Sequence, residues 1–215
     1  MRARILIASA IGVLLPGALV LSGAADAATE TWRYAITRNG DQIGTHSIEI
    51  NRNGADTSVT IATSLTVKVL FVTAYRFEHA ANEHWVNGKL VGMTSTTDNN
   101  GTMHKVSLAM KGTNLEIDAD GKAARLDANI IPTSLWNVEL VRRNAMLDAQ
   151  EGAVLPLTVI DAGTDEVTVK NQPVKAHHYT LKSKFTQDVW YDDRQHLLQA
   201  KFLGSDGSVI MYKVQ

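Results

Sequence analysis

From Ser58 onward apolar and polar side chains alternate. Val59, Ile61, Thr63, Leu65, Val67, Val69 and Phe71 share one parity, with Ser58, Thr60, Ala62, Ser64, Thr66 and Lys68 on the other. A helix repeats its apolar face at intervals of three and four, so seven successive hits at intervals of two do not fit one. The run predicts a long strand with one buried face and one wetter face.

Turn signals punctuate the rest of the chain. Asn39-Gly40, Asn53-Gly54, Asn87-Gly88, Asn100-Gly101, Asp120-Gly121 and Asp206-Gly207 are pairs that tolerate positive φ in tight hairpins. Glycine lacks Cβ, and Asn or Asp can bond its own backbone. Their spacing predicts successive antiparallel hairpins, a meander that costs less loop-closure entropy than crossover connections. The fold class is therefore all-β.

One segment departs from this pattern. Pro132-Thr133-Ser134 precedes Leu135, Trp136, Val138, Leu140, Val141, Met146 and Leu147, with Glu139, Arg142 and Arg143 between them. Proline followed by Thr or Ser is a helix-start signal, and Trp136 with Leu140 is an i, i+4 pair. An amphipathic helix is expected over 133–148, as a lid on the sheet or a plug over a cavity. An internal echo flanks it. Tyr75, Trp85, Leu90, Gly101 and Lys105 recur in order as Tyr179, Trp190, Leu197, Gly207 and Lys213. Two meander halves joined by the helix would make a strongly curved antiparallel sheet or incomplete β-barrel, which limits exposed edges.

The first 27 residues read as an address. Arg2 and Arg4 precede an apolar run from Ile5 to Leu21, and Ala25-Asp26-Ala27 is a small-x-small site. That order predicts a secretory signal peptide cleaved after Ala27, export to the periplasm, and a single β domain over 28–215. Gly12, Pro16 and Gly17 within the run, without a basic flank behind it, argue against a retained membrane anchor. The chain has no cysteine, which excludes disulfides, thiolate metal sites and a lipid-bearing N-terminal cysteine. Loss of Arg2, Arg4 and Asp26 reduces the 21 basic and 22 acidic residues to 19 and 21, a net charge of −2. That charge offers no footprint for nucleic acid.

The opening Trp32-Arg33-Tyr34-Ala35-Ile36, Asn39-Gly40 and Gln42-Ile43-Gly44 resembles the start of uncharacterised exported bacterial β-proteins. Val189-Trp190-Tyr191-Asp192-Asp193, Leu198, Lys201, Asp206-Gly207 and Ile210 are similar to their closing hairpin. Those families resemble the curved half-barrels of periplasmic lipoprotein carriers. The resemblance implies an apolar concavity and a lipid-like ligand, and no catalytic residue.

Candidate chemistry is sparse. Glu78-His79 and Glu83-His84 form the densest ligand-capable cluster, but on a strand His79 and Glu83 stand roughly 13 Å apart, too far to share a metal directly. Adjacent His177 and His178 point to opposite faces. Asp188, Asp192 and Asp193 could pair as acid and base, although turn formation accounts for them as well. No G-x-S-x-G, Gly-rich phosphate loop or H-E-x-x-H occurs, and no motif calls for a cofactor.

The leading expectation is a non-catalytic periplasmic protein holding an apolar or amphipathic ligand at Val67, Val69, Phe71, Trp136 and Leu140. An envelope scaffold or interaction protein with a filled core is the first alternative. A hydrolase using His79 with Glu83, or Asp188 with Asp192, is the second.

Overall fold

A computed structural model describes residues 28–215. The expected signal peptide, 1–27, lies outside the described residues. The first meander comprises β1 (Ala28–Arg38), β2 (Asp41–Asn53), β3 (Asp56–Val69), β4 (Val72–Val86), β5 (Lys89–Asn99), β6 (Thr102–Lys111), β7 (Asn114–Ala119) and β8 (Lys122–Leu126). A short pair, β9 (Ala145–Leu147) and β10 (Val154–Pro156), follows. The second meander comprises β11 (Thr158–Val169), β12 (Gln172–Lys182), β13 (Thr186–Tyr191), β14 (Leu197–Leu203) and β15 (Val209–Val214).

Both meanders belong to one 13-stranded antiparallel sheet in the order β11-β12-β13-β14-β15-β1-β2-β3-β4-β5-β6-β7-β8. The β1–β15 ladder, Tyr34 opposite Val214 through Arg38 opposite Ile210, joins the halves. β8 and β11 are unpaired edges, so the barrel is incomplete. Lys122 and Arg125 on one edge, and Asp161, Asp165 and Glu166 on the other, place charge where strand addition would otherwise occur.

The alternation from Ser58 becomes β3 as far as Val69, with Val59, Ile61, Thr63 and Leu65 buried, and Phe71 falls in the turn. All six Asn-Gly and Asp-Gly pairs fall at the connections between consecutive strands of the sheet, with Asn53 ending β2. Two meanders are present, but the echoed landmarks are not on equivalent strands. Tyr75 and Trp85 both lie on β4, whereas Tyr179 and Trp190 lie on neighbouring β12 and β13.

The expected helix over 133–148 is corrected. Segment 127–157 forms only a 3₁₀ turn at Val138–Arg142, capped by Asn137, whose side chain accepts from the Glu139 N–H. Leu135 takes φ 64°, and Arg143 is extended, so helical geometry fails on both sides. The chain instead satisfies its backbone with β9–β10 and with Leu147 N–H donating to Ile131 O at 2.9 Å. The physical reason is burial on more than one side. A helix lying on a sheet buries one stripe, but this segment enters the shell and buries Ile130, Ile131, Leu140, Met146, Leu147 and Ala149 among strand residues. It runs from one edge strand to the other and fills the concavity as an irregular plug.

Gly44 marks a close approach within the shell. A Cβ there would lie 2.2 Å from Ser64 O and 2.6 Å from Leu65 Cα. Gly44→Ala should separate β2 from β3 and lower stability by about 2 kcal/mol or more, measured as a shift in the urea midpoint.

Candidate functional site

Inward positions of β4 and β5 carry polar groups into an apolar interior. Glu83 is fully buried, and its Oε2 accepts from Trp85 Nε1 and Trp136 Nε1, each at 2.8 Å. The two indoles meet edge to face, with centroids 5.3 Å apart. One carboxylate oxygen therefore ties the plug to the sheet. Burial pushes the Glu83 carboxyl above its ordinary range, against the lowering effect of its hydrogen bonds. Its Oε1 and the Ser134 hydroxyl are both buried without a partner, and protonation of Oε1 would let it donate to Ser134.

Two histidines lie on inward positions further along the shell. His46 Nδ1 is 2.8 Å from Thr63 Oγ1, and His79 Nδ1 is 2.9 Å from Thr97 Oγ1. Burial lowers both to about 4; the charge of His79 adds to the effect on His46. Both are neutral at pH 7. A file of rings leads from this pair to the rim: Tyr34–His46 and His46–Tyr212 at 5.4 Å, Tyr212–Phe202 at 6.0 Å, and Phe202–Phe185 at 6.2 Å.

The five residues expected to hold a ligand do not form one site. Leu140 is in the core of the plug, and Trp136 is half-buried against Glu83 and Trp85. Glu83 pairs with Val59 across β3–β4, so Val67 stands eight residues further along β3, roughly 26 Å at about 3.3 Å per residue. Val69 is half-exposed and Phe71 wholly exposed. The strand passes out of the shell before it reaches them. Neither expected catalytic pair is brought together. His79 and Glu83 each bond other partners, Asp188 faces Thr180 and His178, and Asp192 turns to His196.

The outer surface carries two histidines between carboxylates. His178 stacks on Trp190 with centroids 4.4 Å apart, lies 2.8 Å from Asp165, and approaches Asp188 at 3.3 Å. His196 stacks on Trp32 at 4.5 Å, bonds Asp192 at 3.1 Å and approaches Glu30 at 3.7 Å. The second group lines a polar cleft of about 580 Å³ with Arg33, Lys170 and Arg194. Among the described residues, no group of three or more His, Asp or Glu side chains could hold a metal ion.

The two ends of the shell differ in polarity. Strand direction alternates, so the turns at 39–40, 70–71, 100–101, 120–121, 183–185 and 204–207 share one rim. Among the described residues, the exposed large hydrophobics at this end are Val69, Leu70, Phe71, Val72, Met103, Ile160, Phe185 and Leu203. Turns at the opposite end are built from Asn53-Gly54, Asn87-Gly88, Lys111-Gly112, Lys170-Asn171 and Asp193-Arg194-Gln195. Leu70, Val72, Phe185 and Leu203 were not marked by strand periodicity. The available signal was a break in it, since Val69-Leu70-Phe71-Val72 is continuously apolar where the pattern needs a turn.

The chain belongs to the family of domain of unknown function DUF6134, whose model matches residues 34–215. No curated protein matches it significantly. Among solved structures it is similar to a β-barrel-like protein of domain of unknown function DUF1849 from Brucella abortus, with TM-score 0.61 and 9% identity over 86% of this chain and 97% of that one. At that identity the likeness concerns the fold.

Two outcomes test the interior. Glu83→Gln should stay within about 1 kcal/mol of wild type, since an amide can accept from the indoles and donate to Ser134; Glu83→Ala should cost about 3 kcal/mol or more. Urea unfolding measures both. Because the folded-state Glu83 pKa is raised, its contribution falls as pH rises through that value, so Gln should gain on Glu toward neutral pH. The histidines act in the opposite sense. Their folded-state values are depressed, so the unfolded chain binds more protons between pH 6.5 and about 4, and stability falls as pH drops through that window. The loss should be on the order of 2–3 kcal/mol for each histidine, and a His46→Gln, His79→Gln variant should show a flatter profile.

Proposed function

We propose that this family member is an exported, periplasmic, non-catalytic interaction protein of the cell envelope. Its concavity is its own core, and it meets its partner at the rim that carries the exposed apolar side chains. The observation supporting this reading most directly is the combination of a filled interior with a one-sided apolar rim. Plug residues Ile130, Ile131, Leu140, Met146 and Leu147 occupy the space a carried ligand would need. Apolar side chains exposed together at one end of a protein that already has a core mark an interaction site.

A second reading is that an amphipathic, lipid-like ligand enters the shell beside the plug. It is favoured by the file of rings from Phe185 to Tyr34, an apolar route into the interior that passes the neutral His46. Native mass spectrometry of the chain isolated from a periplasmic extract separates the two. The first reading expects the mass of residues 28–215 without an adduct. A co-purifying lipid that survives desolvation would replace it with the second. Recovery of the chain in the cytosol with residues 1–27 attached would overturn the envelope location common to both.

A further inference from the structure

The β3–β4 hairpin runs on past its ladders with both neighbours, and past the 100–101 turn of the β5–β6 hairpin. The last β2–β3 pair is Gly44 with Leu65, and the corresponding end of the β4–β5 ladder is Phe77 with Asn99. From Thr66 to Val69, and from Val72 to Tyr75, these two strands have ladder partners only in each other, and at Arg76 the carbonyl accepts from the Asn100 N–H of the next turn at 2.8 Å. Four residues beyond Leu65 carry the tip roughly 13 Å past the last ladder partner, at about 3.3 Å per residue. The result is a two-stranded finger, a form that gains little stability from its own contacts in water.

Its tip departs from every Asn-Gly and Asp-Gly hairpin in the sheet. Leu70 and Phe71 both lie in the left-handed region, at φ 48° and 70°. Asn39-Gly40, Asn87-Gly88, Asn100-Gly101 and Asp120-Gly121 adopt the same sign pattern with residues suited to it. A Leu-Phe pair is disfavoured there because Cβ crowds the carbonyl. The folded chain gains no packing in return, since Phe71 is 100% exposed and Leu70 87% exposed. A departure from local preference without gain to the fold points to a role outside the fold.

We infer that the tip, Val69-Leu70-Phe71-Val72, inserts into the interfacial region of a lipid bilayer and seats the apolar rim on the membrane. The finger is convex and narrow, so a fluid phase can close around it without a preformed cavity. Four successive apolar residues suit the headgroup–acyl boundary, where interfacial segments bury their apolar groups roughly 5–10 Å deep. The neck is polar below them. Lys68 can extend its ammonium to headgroup phosphates, and Tyr75, bonded to Asn99 Oδ1 at 2.8 Å, stands at the base, where amphipathic rings are favoured at an interface. Charge attraction is not the driving term. Arg76 lies 3.7 Å from Glu78 and 3.8 Å from Asp98, and Arg38 is paired with Asp206. Burial of the tip should therefore drive attachment with little dependence on salt.

The inference rests on the rim-docking function proposed above, but its test does not depend on cellular location. Since the chain has no cysteine, Phe71→Cys and Asn87→Cys each give a single labelling position at opposite ends of the shell. Each is carried on residues 28–215, which hold the whole described sheet, and labelled with an environment-sensitive nitrobenzoxadiazole dye. Vesicles of phosphatidylcholine, alone or with one quarter phosphatidylglycerol, should shift the dye at position 71 to the blue in low and high salt, and leave the dye at 87 unchanged. In vesicle sedimentation, Leu70→Asn with Phe71→Gly should bind about tenfold less or weaker still. That variant carries a favoured turn, so loss of folding cannot account for the loss of binding. No shift at 71, equal shifts at both positions, or undiminished binding of the variant would overturn the inference. A shift at 71 on raising protein concentration without lipid would replace the membrane with a second copy of the chain. In each of these cases the envelope interaction function stands or falls separately, on the mass and location measurements.

Discussion

An antiparallel sheet that curls without closing exposes a concave apolar face and two strand edges. In this protein the face is covered by segment 127–157, which leaves edge strand β8, crosses the interior, and returns as edge strand β11, while the two edges stay unpaired and carry charged side chains. Covering the face requires apolar side chains pointing in several directions, and an irregular chain supplies them where a one-striped helix would not. The buried Glu83 carboxylate is the fixed point of this arrangement, because it receives one indole from the sheet and one from the plug.

Polar groups in the interior do not contradict its packing. Each buried histidine meets a threonine hydroxyl, and burial keeps both neutral at pH 7. Glu83 carries the opposite demand, because desolvation favours its protonated form. The histidine pairs tie β2 to β3 and β4 to β5, and Glu83 ties β4 to the plug. They do not converge as catalytic neighbours: along a single strand, successive same-face residues are spread by the length of the backbone. The polarity of the rims follows from topology as well. Hairpin turns alternate between ends, so the apolar 70–71 turn and the exposed Phe185 and Leu203 come to the same end of the shell.

Much of the architecture was legible in the chain. Period-two runs marked the strands, and Asn-Gly or Asp-Gly pairs marked six of the turns, because each signal rests on local backbone geometry. The candidate site was legible only in part. By parity Val69 and Phe71 read as apolar positions on the inner face, but the ladders flanking β3 and β4 end before reaching them. The i, i+4 spacing of Trp136 and Leu140 reads as one helix face, which would bring them to the same site, but the segment is irregular. The aromatic pairings of His178 and His196, and the file of rings from Phe185 to Tyr34, join residues distant in sequence and leave no local signal.

By itself, the sequence determined an all-β meander of long strands with tight turns, since alternation and turn chemistry act over a few neighbouring residues. It also determined a cysteine-free interior held by burial and hydrogen bonds. Only the tertiary structure decided that 127–157 would be a plug and not a helix, that the concavity would be filled, and that one hairpin would project with an apolar tip. Each of those depends on which strands are neighbours and where their pairing stops, and such long-range register is encoded by the whole sheet and by no single segment of it.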